Sequence, residues 1–101
     1  GTMEVVRAIN RITLEGASFE DLSQKELKKL NLKGGIRFKD IGPGKWKNAG
    51  IQPGFIITMI DKRAIKNIEE LKIYLDTVKG DGILITGYYP NGEKVYYGIA
   101  W

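Results

Sequence analysis

Residues 49–60 read Ala49-Gly50-Ile51-Gln52-Pro53-Gly54-Phe55-Ile56-Ile57-Thr58-Met59-Ile60, and this stretch decides the fold. A small-residue turn and one apolar anchor, Ile51, lead into Gln52-Pro53-Gly54. Proline at the second position of a β-turn presets φ, and glycine at the third accepts the positive φ of a type II turn. The run that follows is bulky, mostly β-branched or aromatic, and does not alternate with polar residues. It predicts a strand buried on both faces, with the turn fixing how the chain enters it.

Downstream, Asp61-Lys62-Arg63 reads as a tight turn and Ala64-Ile65 as a brief strand. Asn67 with Glu70 is a capping signal, and Ile68, Leu71 and Leu75 fall on one face of the main helix, which runs to about Val78. Lys79-Gly80-Asp81-Gly82 stops it. Ile83–Tyr89 and Lys94–Trp101 then face each other across Pro90-Asn91-Gly92-Glu93, a hairpin announced by Asn-Gly. In its last strand Val95, Tyr97, Ile99 and Trp101 share one face, with Tyr96, Gly98 and Ala100 on the other.

Upstream, Ile36, Phe38 and Ile41 mark a strand with Arg37 and Lys39 alternating outward, closed by the Gly42-Pro43-Gly44 loop. Lys45–Ala49 has room for barely one helical turn. A short helix over Gln24–Leu30 follows the Ser23/Glu26 capping box and ends at Asn31 and Gly34-Gly35. Ile12-Thr13-Leu14 alternates as a half-buried strand, and Gly16 signals a bulge or the close approach of another backbone. Residues 4–9 are either a strand or a linker. Gly1-Thr2-Met3 resembles the remnant of a cleaved tag, which leaves residues 4–101 as one domain excised from a longer chain. Five or six short strands and two helices make an α+β domain, a partly open β-barrel with helices over its open ends.

Composition excludes several functions. A chain of 101 residues forms one core, burying roughly two-thirds of the surface of the unfolded chain. Histidine and cysteine are absent, so neither a Ser–His nor a Cys–His pair can form, and a zinc site would need carboxylates alone. Asp61 with Asp40, or Glu69 with Glu70, are the remaining candidate carboxylate pairs, and acids at a helix start are explained by the macrodipole. No cofactor is implied. No apolar run approaches a membrane-spanning length. The net charge of +4 includes a lysine-rich first half. Glu20, Asp21, Glu26 and Asp40 interrupt it, which makes it a solvated face rather than a nucleic-acid surface.

Gly35-Ile36-Arg37-Phe38, Gly42-Pro43-Gly44, the opening stretch 49–60 and Ala64-Ile65-Lys66-Asn67-Ile68-Glu69-Glu70-Leu71, in that order, resemble the PDZ signature of Do-like (HtrA/Deg) bacterial serine proteases. The terminal hairpin completes the match, and Leu14-Glu15-Gly16-Ala17 is most similar to the start of the second PDZ domain of such proteases. The resemblance implies a circularly permuted PDZ fold and a periplasmic or cell-envelope location. It also implies a non-catalytic module whose parent carries its triad elsewhere. In that family a peptide with a free C-terminus lies as an added strand between the first strand and the main helix, by β-augmentation. By position, the carboxylate-holding loop becomes Arg11, Ile12, Thr13 and Leu14. The pairing strand becomes Leu14, Glu15, Gly16 and Ala17, and the helix wall Ile68, Leu71, Lys72 and Leu75. Ile12, Leu14, Leu71 and Leu75 would line the pocket for the terminal side chain.

Two residues depart from the family pattern. Thr13 stands where the carboxylate loop carries a glycine, and Phe55 follows the Pro-Gly turn where many members have aspartate. Two functions are therefore carried forward. The first is capture of hydrophobic C-termini of unfolded proteins. The second, favoured by Thr13, is a structural module for oligomer or cage assembly, contacting other domains and subunits, with a degenerate or self-occupied groove. As bare helix residues, Ile68, Leu71 and Leu75 are simply a buried face. Trp46 is either an exposed anchor or a lid folded over the core.

Overall fold

A computed structural model describes residues 11–78 and 80–101. The strand-or-linker stretch 4–9, Gly1-Thr2-Met3 and Lys79 lie outside the described residues. In chain order the elements are β1 (Arg11–Leu14), β2 (Ala17–Asp21), α1 (Gln24–Leu30), β3 (Ile36–Ile41), α2 (Lys45–Asn48), β4 (Ile56–Ile60), β5 (Arg63–Ala64), α3 (Ile68–Thr77), β6 (Ile83–Tyr88) and β7 (Lys94–Ile99). One sheet runs β1-β2-β3-β4-β6-β7, antiparallel throughout, with β5 paired to β4 off this path. The sheet is unclosed, an open α+β barrel. It has seven strands among the described residues where five or six were expected. The added strand is β2, which the sequence pattern had merged with the segment before Gly16.

The opening stretch behaves as its composition dictates. Gly54 takes φ of 96°, and the Phe55 N–H donates to the Gln52 carbonyl at 3.3 Å, closing the turn. Ile56, Ile57 and Ile60 of β4 are buried between β3 and β6. The approach of β6 to β4 requires Gly87, because a Cβ there would lie 1.9 Å from the Ile56 carbonyl oxygen. Phe55 sits in the core with its ring 4.9 Å from that of Tyr89 and 5.2 Å from that of Tyr97, so its departure from the family pattern is a matter of packing.

Both helix starts follow their capping signals. Around α1 the Ser23 hydroxyl accepts the Glu26 N–H at 3.2 Å and the Glu26 carboxylate accepts the Ser23 N–H at 3.2 Å. Asn31 ends that helix in the left-handed region at φ 59°. Before α3, Asn67 accepts the Glu70 N–H at 2.9 Å, but the Glu70 carboxylate takes the Lys66 N–H at 2.8 Å. Ile68, Leu71 and Leu75 turn inward from α3 to join Phe19, Phe38, Phe55, Ile36, Ile57, Ile60 and Ile85 in one core. On β7, Val95, Tyr97 and Ile99 face that core while Tyr96 and Gly98 are exposed.

One open expectation is decided and one is corrected. Of the two alternatives for Trp46, it is the lid over the core: it is fully buried, its ring 5.3 Å from Phe19, 5.3 Å from Phe38 and 4.9 Å from Trp101. Arg37 does not point to open solvent but is half-buried between Glu20 and Glu26. A single turn of helix at α2 is enough to swing an indole back over the sheet. The register that sets Glu20 opposite Arg37 supplies that guanidinium with a carboxylate.

Candidate functional site

The residues singled out in the sequence gather where β1, β2 and α3 meet. β1 pairs with β2 in the register Arg11↔Glu20, Ile12↔Phe19, Thr13↔Ser18 and Leu14↔Ala17. Ile12 and Leu14 turn inward, half-buried against the core, while Arg11 and Thr13 are exposed. Arg11 and Ile12 line a groove of about 430 Å³ together with Ile68, Lys72 and Ile73 of α3. The Ile68 N–H donates to an Asp21 carboxylate oxygen at 2.8 Å, which ties the far end of β2 to the start of α3. Thus β1 lies along β2 in the space beside α3.

The local structure differs from the expectation at two points. Arg11–Leu14, which the resemblance placed in the carboxylate loop, is a strand, as the alternation of Ile12-Thr13-Leu14 reads. Leu14–Ala17, expected to be the pairing strand, is a two-residue hairpin turn with φ of 49° at Glu15 and 86° at Gly16. Positive φ at both central residues is what a type I′ turn needs, and glycine at the second supplies it cheaply. The chain therefore reverses at Glu15-Gly16 and the long strand begins at Ala17. Gly16 is also the predicted close approach. A Cβ there would meet the Pro43 carbonyl oxygen at 2.2 Å, and the Gly42 N–H donates to the Gly16 carbonyl at 2.7 Å. Thr13 consequently lies on β1 and not in a loop, with its hydroxyl 3.5 Å from that of Ser18. On α3, Ile68, Leu71 and Leu75 are buried and Lys72 is exposed.

Charge is organised on the outer side of this hairpin. The Glu20 side chain is only 4% exposed. One of its oxygens, Oε2, accepts from Arg37 Nε at 3.0 Å, and the other, Oε1, lies 3.5 Å from Arg11 Nε. Arg37 also pairs with Glu26. The Arg37 hydrogen bond holds the Glu26 carboxyl below its ordinary pKa against the opposing effect of burial, and the Ser23 N–H adds to the lowering. Neither Glu20 nor Arg37 carried a sequence signal, because only the strand register brings them together.

Trp46 is the other residue that sequence reasoning left open. Its Nε1–H donates to the Leu14 carbonyl at 3.0 Å, so a buried indole clamps the base of β1. Among the described residues no cluster of three or more acidic, histidine or cysteine side chains could hold a metal. No helix among them is long and apolar enough to cross a membrane.

This arrangement, an open antiparallel sheet with a helix flanking its first strands, is a PDZ-like fold. No family model matches the chain, but solved structures and sequence relatives agree. The crystal structure of the HtrA3 PDZ domain bound to a phage-derived ligand (FGRWV) superposes with a TM-score of 0.72 at 20% identity, covering 92% of this chain and 86% of that one. The HtrA-type protease AlgW with a decapeptide gives 0.64 at 24% identity, over 91% of this chain and 29% of that one. In sequence the chain is 34% identical over 64 residues to a "Probable periplasmic serine endoprotease DegP-like" of Pseudomonas savastanoi pv. phaseolicola, and 33% identical over 66 residues to one so named from Pseudomonas fluorescens. These matches cover 63% and 65% of this chain and 13% of each relative, so the similar region is a small part of those proteins. The fold is therefore PDZ-like, and in sequence the chain is similar to DegP-like serine endoproteases over 64 to 66 residues. Its relatives are named as periplasmic.

Proposed function

We propose that this PDZ domain is a non-catalytic module that binds hydrophobic C-terminal peptide segments as an added strand and thereby regulates a periplasmic serine protease of which it is part. The observation that carries this is the groove between β1 and α3, lined by Arg11, Ile12, Ile68 and Lys72, beside the outermost strand of the described sheet. Main-chain pairing to a strand edge gives affinity and pockets for alternate side chains give selectivity. The pairing strand in this proposal is β1, Arg11–Leu14, the outermost strand of the described sheet, with Thr13 on it. Ile68, Leu71 and Leu75 form the apolar wall and Lys72 its exposed rim. The phage-derived ligand of one structural neighbour and the decapeptide of the other support peptide binding. The likeness to a second PDZ domain and the extent of the module, residues 4–101, belong to this proposal.

A second function is favoured by one observation: Thr13, which stands where the family carries a glycine, is an exposed residue of β1 at this groove. On that account the module serves assembly, meeting other domains or subunits of the parent protease, and its groove takes no peptide. An NMR titration of the 101-residue chain with short peptides ending in a free apolar residue, beside amidated controls, separates the two. Peptide capture predicts shifts confined to β1, β2 and α3 and lost on amidation. An absence of shifts at millimolar peptide would leave the assembly role.

A further inference from the structure

On its flank away from β1, α3 faces β5 across a second groove, of about 680 Å³, with Arg63, Ala64 and Lys66 on one wall and Ile73 and Tyr74 on the other. Ile73 is 62% exposed and lines both grooves, so it stands on the crest between them. The strand wall is an unpaired edge. Asp61 and Lys62, both with positive φ, turn the chain from β4 into β5, and the Ile65 N–H donates to the Thr58 carbonyl at 3.0 Å. Opposed residues of an antiparallel pair alternate between bonded and non-bonded. Met59↔Ala64 is therefore a non-bonded pair, which turns the Ala64 N–H and carbonyl away from β4. Among the described residues Ala64 makes no hydrogen bond on that side, and it is exposed.

The rim of this groove is positive. The nearby acids are held by neutral donors: Asp61 accepts the Tyr74 hydroxyl at 2.7 Å and the Leu84 N–H at 2.9 Å, and Glu70 accepts the Lys66 N–H at 2.8 Å. Lys62, Arg63 and Lys66 make no ion pair among the described residues. The Arg63 guanidinium instead lies over the Tyr74 ring, 5.4 Å from its centroid.

We propose that the groove between β5 and α3 is a second peptide site, which takes an extended segment of alternating acidic and apolar residues as a strand added to the β5 edge. Its apolar side chains cover Ile73 and Tyr74, its acids meet Arg63 and Lys66, and its backbone pairs with Ala64. β5 has only two residues, so the charge and apolar contacts supply most of the affinity. The site needs no free C-terminus and is independent of the peptide capture proposed above.

The probe is acetyl-Gly-Glu-Val-Glu-Ile-Glu-Gly with an amidated end, which removes any contribution from carboxylate capture, beside the same peptide with Lys in place of Glu. Titrated into the isotope-labelled chain, the Glu peptide should shift amides of Arg63–Lys66, Ile73, Tyr74 and Thr77 and leave β1 unmoved, and the Lys peptide should shift none. Arg63→Glu combined with Lys66→Glu should weaken binding at least about tenfold. Ala64→Pro, which removes the outward N–H and leaves the β4 ladder alone, should weaken it about threefold. Amide spectra confirm that each variant is folded, and the charge-reversed variant, changed only at exposed residues, carries the test by itself if Ala64→Pro disturbs β5. Binding that survives charge reversal, or that the Lys peptide reproduces, would overturn the acidic requirement. Unchanged binding by folded Ala64→Pro would overturn the strand pairing. Shifts at β1 in place of β5 would overturn the second site and leave only the first groove. No shift at millimolar peptide would overturn the inference, whether or not peptides with free C-termini bind elsewhere. Phosphatidylglycerol vesicles that move the β5 amides where the peptide does not would assign the surface to a membrane and overturn it too.

Discussion

The sheet ends in a hairpin at each edge, β1–β2 on one side and β6–β7 on the other, and the two are held very differently. β6 and β7 pair over six residues, from Ile83↔Ile99 to Tyr88↔Lys94, and bury Ile83, Ile85 and Ile99. Tyr89 and Tyr97 join hydroxyls beside Phe55, and Trp101 lies on Trp46. Among the described residues β1 pairs over four residues and turns only half-buried side chains, Ile12 and Leu14, toward the core. A hairpin's permanence is set by what its side chains bury, since strand pairing alone is marginal in water. One edge is therefore part of the core, and the other is a strand resting on it.

The largest effect should come from the residue that touches both edges. Trp46→Ala removes the clamp on Leu14 and the surface under Trp101, and should cost about 4 kcal/mol in denaturant unfolding. Truncating one side chain on each edge sharpens the contrast. Ile99→Ala on β7 should cost about 3 kcal/mol and Ile12→Ala on β1 about 1 kcal/mol, because the first side chain is buried and the second half-exposed. Equal costs would break the comparison.

Two smaller effects are titrations. The Glu26 pKa is lowered in the folded state, chiefly by the Arg37 hydrogen bond. Its contribution is therefore present above the ordinary glutamate pKa, about 4.3, and is lost as pH falls through the lowered value. Glu26→Gln should flatten the acid limb of the stability curve measured by denaturant midpoint. On the β7 side, burial first, and then the hydrogen bond with Tyr89, push Tyr97 up to about 12. That contribution is present below the ordinary tyrosine pKa, about 10, and is lost as pH rises toward the raised value. Tyrosinate absorbance should show Tyr97 ionising late, and Tyr89→Phe should bring it back down.

The difference between the edges also explains what the sequence disclosed. The β6–β7 hairpin was legible because Asn91-Gly92 and the alternation of Val95, Tyr97 and Ile99 are local signals. The caps at Ser23, Asn31 and Asn67 were legible for the same reason. At the other edge, Ile12-Thr13-Leu14 read correctly as a strand in its alternation. The turn at Glu15-Gly16 was missed because the resemblance carried a pairing strand straight through Gly16. Glu-Gly is a weaker turn signal than Asn-Gly, and only the positive φ of Glu15 reveals it. Glu20 and Trp46 were beyond reach from sequence, since the burial of a glutamate or an indole depends on which side chains the register places opposite.

Amide hydrogen exchange across the two hairpins tests the central claim most directly. Without peptide, the β1 amides should exchange orders of magnitude faster than those of β6 and β7, through a local opening that leaves the rest of the sheet protected. If the β1 amides exchange only with global unfolding, at the same free energy as β6 and β7, then β1 is a fixed strand of the sheet and the two edges are held alike.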